Sequence, residues 1–157
     1  MNYDAFNMSP IAIAYAITAG VSIAMLLAAW RRPRVGRLLF AVMFFAAGLF
    51  NGVTALRTPQ VYVHGFGRYA VGPYRSFIEG PFAVAPGVFV LAIAAGQLLV
   101  ALGITFGRGL LFKAGVAGAV VFLLAISGLG VGAAFPLNLV LAAGAVLLMR
   151  SPSRPAW

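Results

Sequence analysis

Long uncharged apolar runs, separated by short basic or glycine-rich breaks, restrict the fold of this chain more than any other feature. The first run extends from Ile11 to Trp30 and ends in a cluster of arginines. A helix of that length, at about 1.5 Å per residue, reaches about 30 Å, the thickness of a bilayer's hydrocarbon core. A chain of 157 residues that is 63% hydrophobic and 8% charged has too little polar surface for a water-soluble domain. The sequence therefore predicts an all-α integral membrane bundle.

The number of spans follows from the lengths of the apolar runs. Ala114 to Met149 contains no charge and would extend about 54 Å as one helix, so it must fold into two spans. We expect the glycines at 128, 130 and 132 to mark the turn, and Pro136 to kink the last helix. The prediction is a single membrane domain over 1–157 with five transmembrane helices, at about 11–30, 38–56, 87–106, 110–127 and 130–149.

The basic residues predict the orientation of these spans. Lys and Arg near span ends are retained on the cytoplasmic side, and four arginines lie between the first two runs. With five spans, an N-out/C-in arrangement places most of the 11 basic residues inside and leaves Arg57, Arg68 and Arg75 outside with both acids, Asp4 and Glu79. We therefore expect a multi-pass protein of a bacterial-type plasma membrane. The basic residues that give it a net charge of +9 are expected to contact anionic lipid headgroups and not nucleic acid.

Residues 57–81 form the one long connection and are expected to be an outer interfacial loop. Tyrosines and phenylalanines alternate there with arginines, a pattern typical of segments at the headgroup level. Arg75 and Glu79 can pair if this piece is helical. The side chains expected to contact headgroups or a ligand are His64, Arg68, Tyr69, Tyr74, Arg75 and Glu79.

Catalytic and metal-binding groups are scarce in this sequence. The interiors of the predicted spans hold no Asp, Glu, Lys, Arg or His, since Lys113 lies near a span end and can reach the interface, and this argues against proton-coupled transporters and ion pumps. Cysteine is absent, so disulfides and thiolate metal sites are excluded within this chain. His64 has no second ligand at metal spacing. We therefore predict no catalytic residue and no metal site.

Three amide side chains lie inside predicted spans on three different helices. Counted at about 1.5 Å per residue from the outer helix ends, Asn51 lies about 8 Å deep, Asn138 about 12 Å and Gln97 about 15 Å. Amides at similar depth could meet as an intramembrane polar cluster. The simpler interpretation is hydrogen bonding between helices, and the alternative is a patch that orients a quinone-like headgroup.

Three stretches resemble the DoxX-like family of small membrane proteins: RLLFAVMFFAAGLFNGV at 37–53, VFVLAIAAGQLLVALGITFGR at 88–108 and FPLNLVLAAGAVLLMR at 135–150. They share a basic start to a Phe- and Gly-bearing helix, an intramembrane polar residue before a Gly-rich helix end, and an Asn opening the last helix. The resemblance covers about residues 37–150 and implies a four-helix core with an added N-terminal helix. Some members are membrane subunits of quinone-linked oxidoreductases. Gln97 stands where members often carry Glu, and a Lys often seen after the Gly48 segment is absent.

These observations predict a small membrane subunit or scaffold that is not itself an enzyme, with a membrane-protein partner or a homo-oligomer as its assembly. The main prediction includes no cofactor. The first alternative is a quinone-interacting subunit of a membrane oxidoreductase, with quinone as its cofactor. The second is transport of a small neutral solute along Tyr15, Thr18 and Asn138.

Overall fold

A computed structural model describes residues 10–67 and 69–150. Within those ranges the chain is helical and contains no strand. The α-helices are α1 (Pro10–Arg31), α2 (Pro33–Arg57), α3 (Gln60–Gly67), α4 (Gly72–Phe77), α5 (Pro86–Phe106), α6 (Gly109–Ile126) and α7 (Leu137–Met149). A π-helical turn, Ile78–Phe82, follows α4, and a 3-10 helix, Ser127–Ala133, follows α6.

Among the described residues, four helices (α1, α2, α5 and α6) are long and apolar enough to cross a membrane, so the expected all-α class is confirmed and a multi-pass membrane protein is supported. Helix α7 is apolar but has 13 residues and reaches only about 20 Å, against about 30 Å of hydrocarbon. The count of five spans and their orientation therefore stay predictions.

The last helix begins later than expected. The predicted span starts at residue 130, but α7 starts at Leu137, because the preceding backbone leaves helical geometry at Gly130 (φ 69°) and at Ala134 (φ 61°). Pro136 is the N-cap of α7 and not an interior residue, so the predicted kink is wrong. Proline is tolerated at a helix start, where its missing N–H would have no intrahelical acceptor.

The second helix begins earlier than expected. The predicted boundary was residue 38, but α2 starts at Pro33, whose fixed φ suits the first helical position. Only Arg32 separates α1 from α2. The predicted four-arginine loop is therefore mostly helical, and Arg37 lies on α2.

The five longer helices form a ring in the order α1, α2, α5, α6, α7, with α7 returning to α1. Close approach depends on small residues: a Cβ at Gly115 would lie 2.8 Å from the backbone of Gly103 on α5. One apolar core fills the end of the ring near the α5–α6 turn and includes Phe40, Phe44, Ile104, Phe112, Val116 and Leu148.

Residues of the predicted outer loop form a cap over the other end of the ring. This cap consists of α3, α4 and the π-helical turn, and it has its own apolar core around Ile78, Phe82 and Val90. The Val71 amide donates to the Gly128 carbonyl oxygen at 3.1 Å, which joins the cap to the 3-10 helix. A methyl group at Gly128 would overlap the ring of Tyr74, so the cap lies directly on the turn before α7.

Candidate functional site

A cavity of about 750 Å³ lies between the ring core and the cap core. Phe44 and Leu123 of the first core form part of its wall, as do Tyr62, Phe82 and Val90 of the second. The remaining residues that line the cavity are Met43, Ala47, Asn51, Phe66, Tyr74, Phe77, Ile78, Phe89, Ala92, Ile93, Gln97, Phe122, Ala125, Ile126, Leu129, Ala133, Ala134, Asn138 and Leu141.

The cavity owes its space to the short last helix and to small residues. Because α7 begins only at Leu137, Ala133 at the end of the 3-10 helix and Ala134 after it form wall in place of another α-helical turn. Ala47 and Ala125 bring little side-chain volume from α2 and α6. Phe77 and Ile93 line the cavity and are 44% and 40% exposed, so the wall reaches the protein surface beside α4 and α5.

A chain of three polar side chains follows one wall. The Tyr62 hydroxyl donates to Asn51 Oδ1 at 2.6 Å, and Asn51 Nδ2 donates to Gln97 Oε1 at 2.7 Å. Burial raises the pKa of the Tyr62 phenol above its usual value, so this group is a neutral donor at physiological pH. The Gln97 Nε2 makes no hydrogen bond within residues 10–67 and 69–150. The series of three side chains therefore ends in unused N–H donors at Gln97.

Asn138 lies at the same cavity without any partner. Its side chain is 2% exposed, and neither Oδ1 nor Nδ2 has a hydrogen-bond partner among the described residues. A buried amide with no partner costs free energy on the order of 1–3 kcal/mol. Two of the three predicted amides are therefore bonded to each other, and the third contributes to the same cavity as an unused donor and acceptor.

The site contains no ionisable acid or base apart from the tyrosines. None of the described residues that line the cavity is Asp, Glu, Lys, Arg or His. The described part of the chain also holds no group of three His, Cys, Asp or Glu side chains that could bind a metal. Chemistry at this wall is therefore hydrogen bonding by neutral groups.

The other predicted contact residues are distributed over the cap. Tyr74 lines the cavity, whereas His64, Tyr69 and Glu79 are exposed. The Arg75 Nε donates to the Gly67 carbonyl oxygen at 3.2 Å, and Glu79 follows α4 in the π-helical turn. Arg68 lies outside the described residues.

Of the three residues predicted to line a solute path, only Asn138 lines the cavity. The Tyr15 hydroxyl donates to the Phe135 carbonyl oxygen, which ties α1 to the segment before α7. The Thr18 hydroxyl donates to the Ala14 carbonyl oxygen of its own helix, at 2.8 Å.

Arg37 has a role that was missed at the level of sequence. Its side chain is 3% exposed and donates to the carbonyl oxygens of Ile104 at 2.5 Å and Gly107 at 2.7 Å, at the end of α5. Its guanidinium carbon lies 4.3 Å from the centre of the Phe112 ring. The signal available was Pro33, since a proline-led helix start places Arg37 one turn inside α2.

Comparisons of this chain with models of known protein families, with curated proteins and with solved structures found no match. The resemblance to the DoxX-like family therefore stays a prediction, and the functional argument depends on the cavity itself.

Proposed function

We propose that this chain is a small, non-catalytic membrane subunit that binds a neutral lipophilic molecule with a hydrogen-bonding head group in the cavity under the cap. The observation that carries this proposal is the buried carboxamide of Asn138, which lies at the wall of a mostly apolar cavity and has no hydrogen-bond partner among the described residues. A ligand head group in that cavity would supply the missing hydrogen bonds.

The size and polarity of the cavity support this ligand class. A volume of about 750 Å³ is that of a small-molecule site, since such pockets measure roughly 300–1,000 Å³. The absence of charged residues from the described wall disfavours ionised ligands, because a charge without a counter-charge there would lose its hydration. The exposed edge at Phe77 and Ile93 offers an apolar tail a route towards surrounding lipid.

In this proposal α7 and the 3-10 helix together complete a fifth crossing of a bacterial-type plasma membrane, with the N-terminus outside and the C-terminus inside. The distribution of arginines supports that orientation. The cap then lies on the outer side, and ligand enters from the outer leaflet.

A quinone-interacting subunit of a membrane oxidoreductase is the second candidate. The Gln97 and Asn138 amide groups offer unused N–H donors, and a quinone carries carbonyl acceptors without charge. This candidate would give the protein a cofactor and a redox partner.

The test is to purify the full chain in mild detergent and identify bound molecules by native mass spectrometry and organic extraction. We expect one neutral lipophile per chain. Ala47→Phe should abolish its recovery, because Ala47 lines the cavity, whereas Ala46→Phe, on an exposed neighbour in the same helix, should not. A folded wild-type protein that carries no lipophile and takes up none would contradict the proposal.

A further inference from the structure

The hydrogen-bonding groups at the cavity define the head group more narrowly than neutral and lipophilic. We infer that the ligand is a neutral lipid whose head carries an N–H or O–H donor beside a carbonyl acceptor, as in a fatty amide or a monoacylglycerol. This inference rests on the proposed function and specifies the ligand that the cavity would take.

The first step is the pattern offered by Asn138. A carboxamide places an acceptor, Oδ1, and a donor, Nδ2, on the same carbon, and here both are without a partner. The complement is a head group that carries a donor and an acceptor close together, which can satisfy both at once. An ester accepts but cannot donate, so it leaves Oδ1 unpaired, whereas a simple alcohol can bond to both groups of this amide but brings no carbonyl for the other donors of the wall.

The second step concerns the balance of hydrogen-bond donors and acceptors on the rest of the wall. The hydrogen bonds run from the Tyr62 phenol through Asn51 to Gln97 on α5, and the Nε2 donors of Gln97 make no bond among the described residues. A carbonyl oxygen has two lone pairs, so it can accept from more than one of these amides. The wall is therefore richer in unused donors than in unused acceptors, which favours a head group containing a carbonyl over one containing hydroxyls alone.

The third step is charge. The described residues of the wall include no cation, so a head group that is an ionised carboxylate would be buried without a counter-ion. An amide or a hydroxy-ester keeps the same hydrogen-bonding pattern with no charge. Both classes of lipid combine a donor with a carbonyl acceptor. They differ in the donating atom, which is nitrogen in the amide and oxygen in the hydroxy-ester.

The experiment measures binding of a matched series of 18-carbon lipids to the delipidated full chain, by native mass spectrometry and thermal shift. The series is oleamide, glycerol monooleate, methyl oleate and oleyl alcohol, with a prenylated naphthoquinone as the carbonyl-only comparison. We expect oleamide or glycerol monooleate to bind about fivefold to tenfold more tightly than methyl oleate, oleyl alcohol and the quinone, the value of one additional hydrogen bond. If oleamide binds more tightly than glycerol monooleate, the ligand is an amide, and the reverse order indicates a hydroxy-ester.

Two variants locate the effect. Asn138→Leu should bring the affinities of the carbonyl-bearing members of the series within about twofold of one another, because the donor and acceptor pair is removed. Ser22→Ala is the matched control: the Ser22 hydroxyl is also buried and without a partner, but it does not line the cavity, so the preference should be retained.

The outcomes separate the two proposals. Equal affinities across the series, or tightest binding of the ester, the alcohol or the quinone, would overturn the inference and leave lipophile binding intact. Retention of the preference in folded Asn138→Leu would overturn it as well. If no member of the series binds, the proposed function itself fails. The wild-type series decides the matter even if a variant does not fold.

Discussion

Buried polar side chains in this bundle differ in how fully their hydrogen bonds are used. Arg37 uses its donors on the carbonyl oxygens that end α5. Asn51 is bonded on both sides, to Tyr62 and to Gln97. Asn138 uses neither of its side-chain groups among the described residues. A satisfied polar group stabilises the fold and an unsatisfied one weakens it, so these residues should respond oppositely to the loss of polarity.

Replacement of the two asparagines by leucine tests this difference. Asn51→Leu removes the acceptor of the Tyr62 hydroxyl and the donor to Gln97 Oε1, so the free energy of unfolding should fall by about 1–3 kcal/mol. Asn138→Leu removes an unpaired amide, so the ligand-free protein should be as stable as the wild type or more so. Thermal unfolding in detergent measures both. Equal destabilisation would show that Asn138 has a structural partner.

Arg37 should contribute strongly to stability. Arg37→Met removes charge-assisted bonds to the end of α5 and exposes carbonyl oxygens of a buried turn, so the loss should be about 3 kcal/mol. Arg34→Met, at an exposed position in the same helix, is the control and should change stability little. The readout is the unfolding midpoint of the two purified variants. If both midpoints equal that of the wild type, the Arg37 contacts do not hold α5.

Helix pairing depends on glycines because the helices themselves are apolar on every side. On α6, Gly115 meets the backbone of Gly103, and on α2, Gly48 meets Leu98 and the Ala94 carbonyl oxygen. Gly52, one turn further along α2, would place a methyl at an ordinary 3.8 Å from Ala94 Cβ. Contacts at particular glycines therefore select the neighbours of each helix.

Gly115→Ala should destabilise the bundle, because the added methyl meets backbone atoms that cannot move aside. The expected loss is about 1–3 kcal/mol, typical of overpacking. Gly96→Ala adds the same methyl where nothing lies within 4 Å, and should leave stability unchanged or raise it by up to about 1 kcal/mol. Thermal unfolding of the pair compares them directly. Identical behaviour would mean that the α5–α6 contact is looser than described.

The cap should control ligand release. Gly128→Ala places a methyl where the Tyr74 ring lies, so the cap must move away from the turn before α7. We expect bound lipid to dissociate faster while the main unfolding transition changes little, since the ring has its own apolar core. Gly72→Ala, in the same cap with open space around it, is the control. Unchanged dissociation in Gly128→Ala would assign the cap no part in ligand retention.

The whole molecule is a ring of helices closed at one end by an apolar core and covered at the other by the cap. The cavity exists between them because α7 is too short to fill that part of the ring. The side on which the C-terminus lies depends on whether α7 and the 3-10 helix before it together cross the membrane.

Cysteine labelling can determine the orientation, since the natural chain contains no cysteine. With five spans and the N-terminus outside, Thr58→Cys should react with a membrane-impermeant maleimide in intact cells. Leu110→Cys, in the first turn of α6, and Ser153→Cys should react only after permeabilisation. External labelling at Ser153 together with internal labelling at Leu110 would reduce the count to four spans.

Sequence alone predicts the all-α class with membrane-length helices, and the helix on which each of Asn51, Gln97 and Asn138 lies. Both follow from run length, because a hydrocarbon core requires about 20 apolar residues whatever their neighbours are. The start of α2 and the start of α7 were predicted less well, since each depends on how a proline and its local backbone are used.

Only the tertiary structure decided which polar groups meet. An apolar helix has no polar face to mark its neighbours, so neither the Arg37 contacts nor the Asn51–Gln97 bond could be derived from periodicity. The unpaired state of Asn138 was equally beyond the sequence, because a missing partner is a property of everything packed around a side chain. Depth along a helix can be counted, but direction around its axis is set by packing.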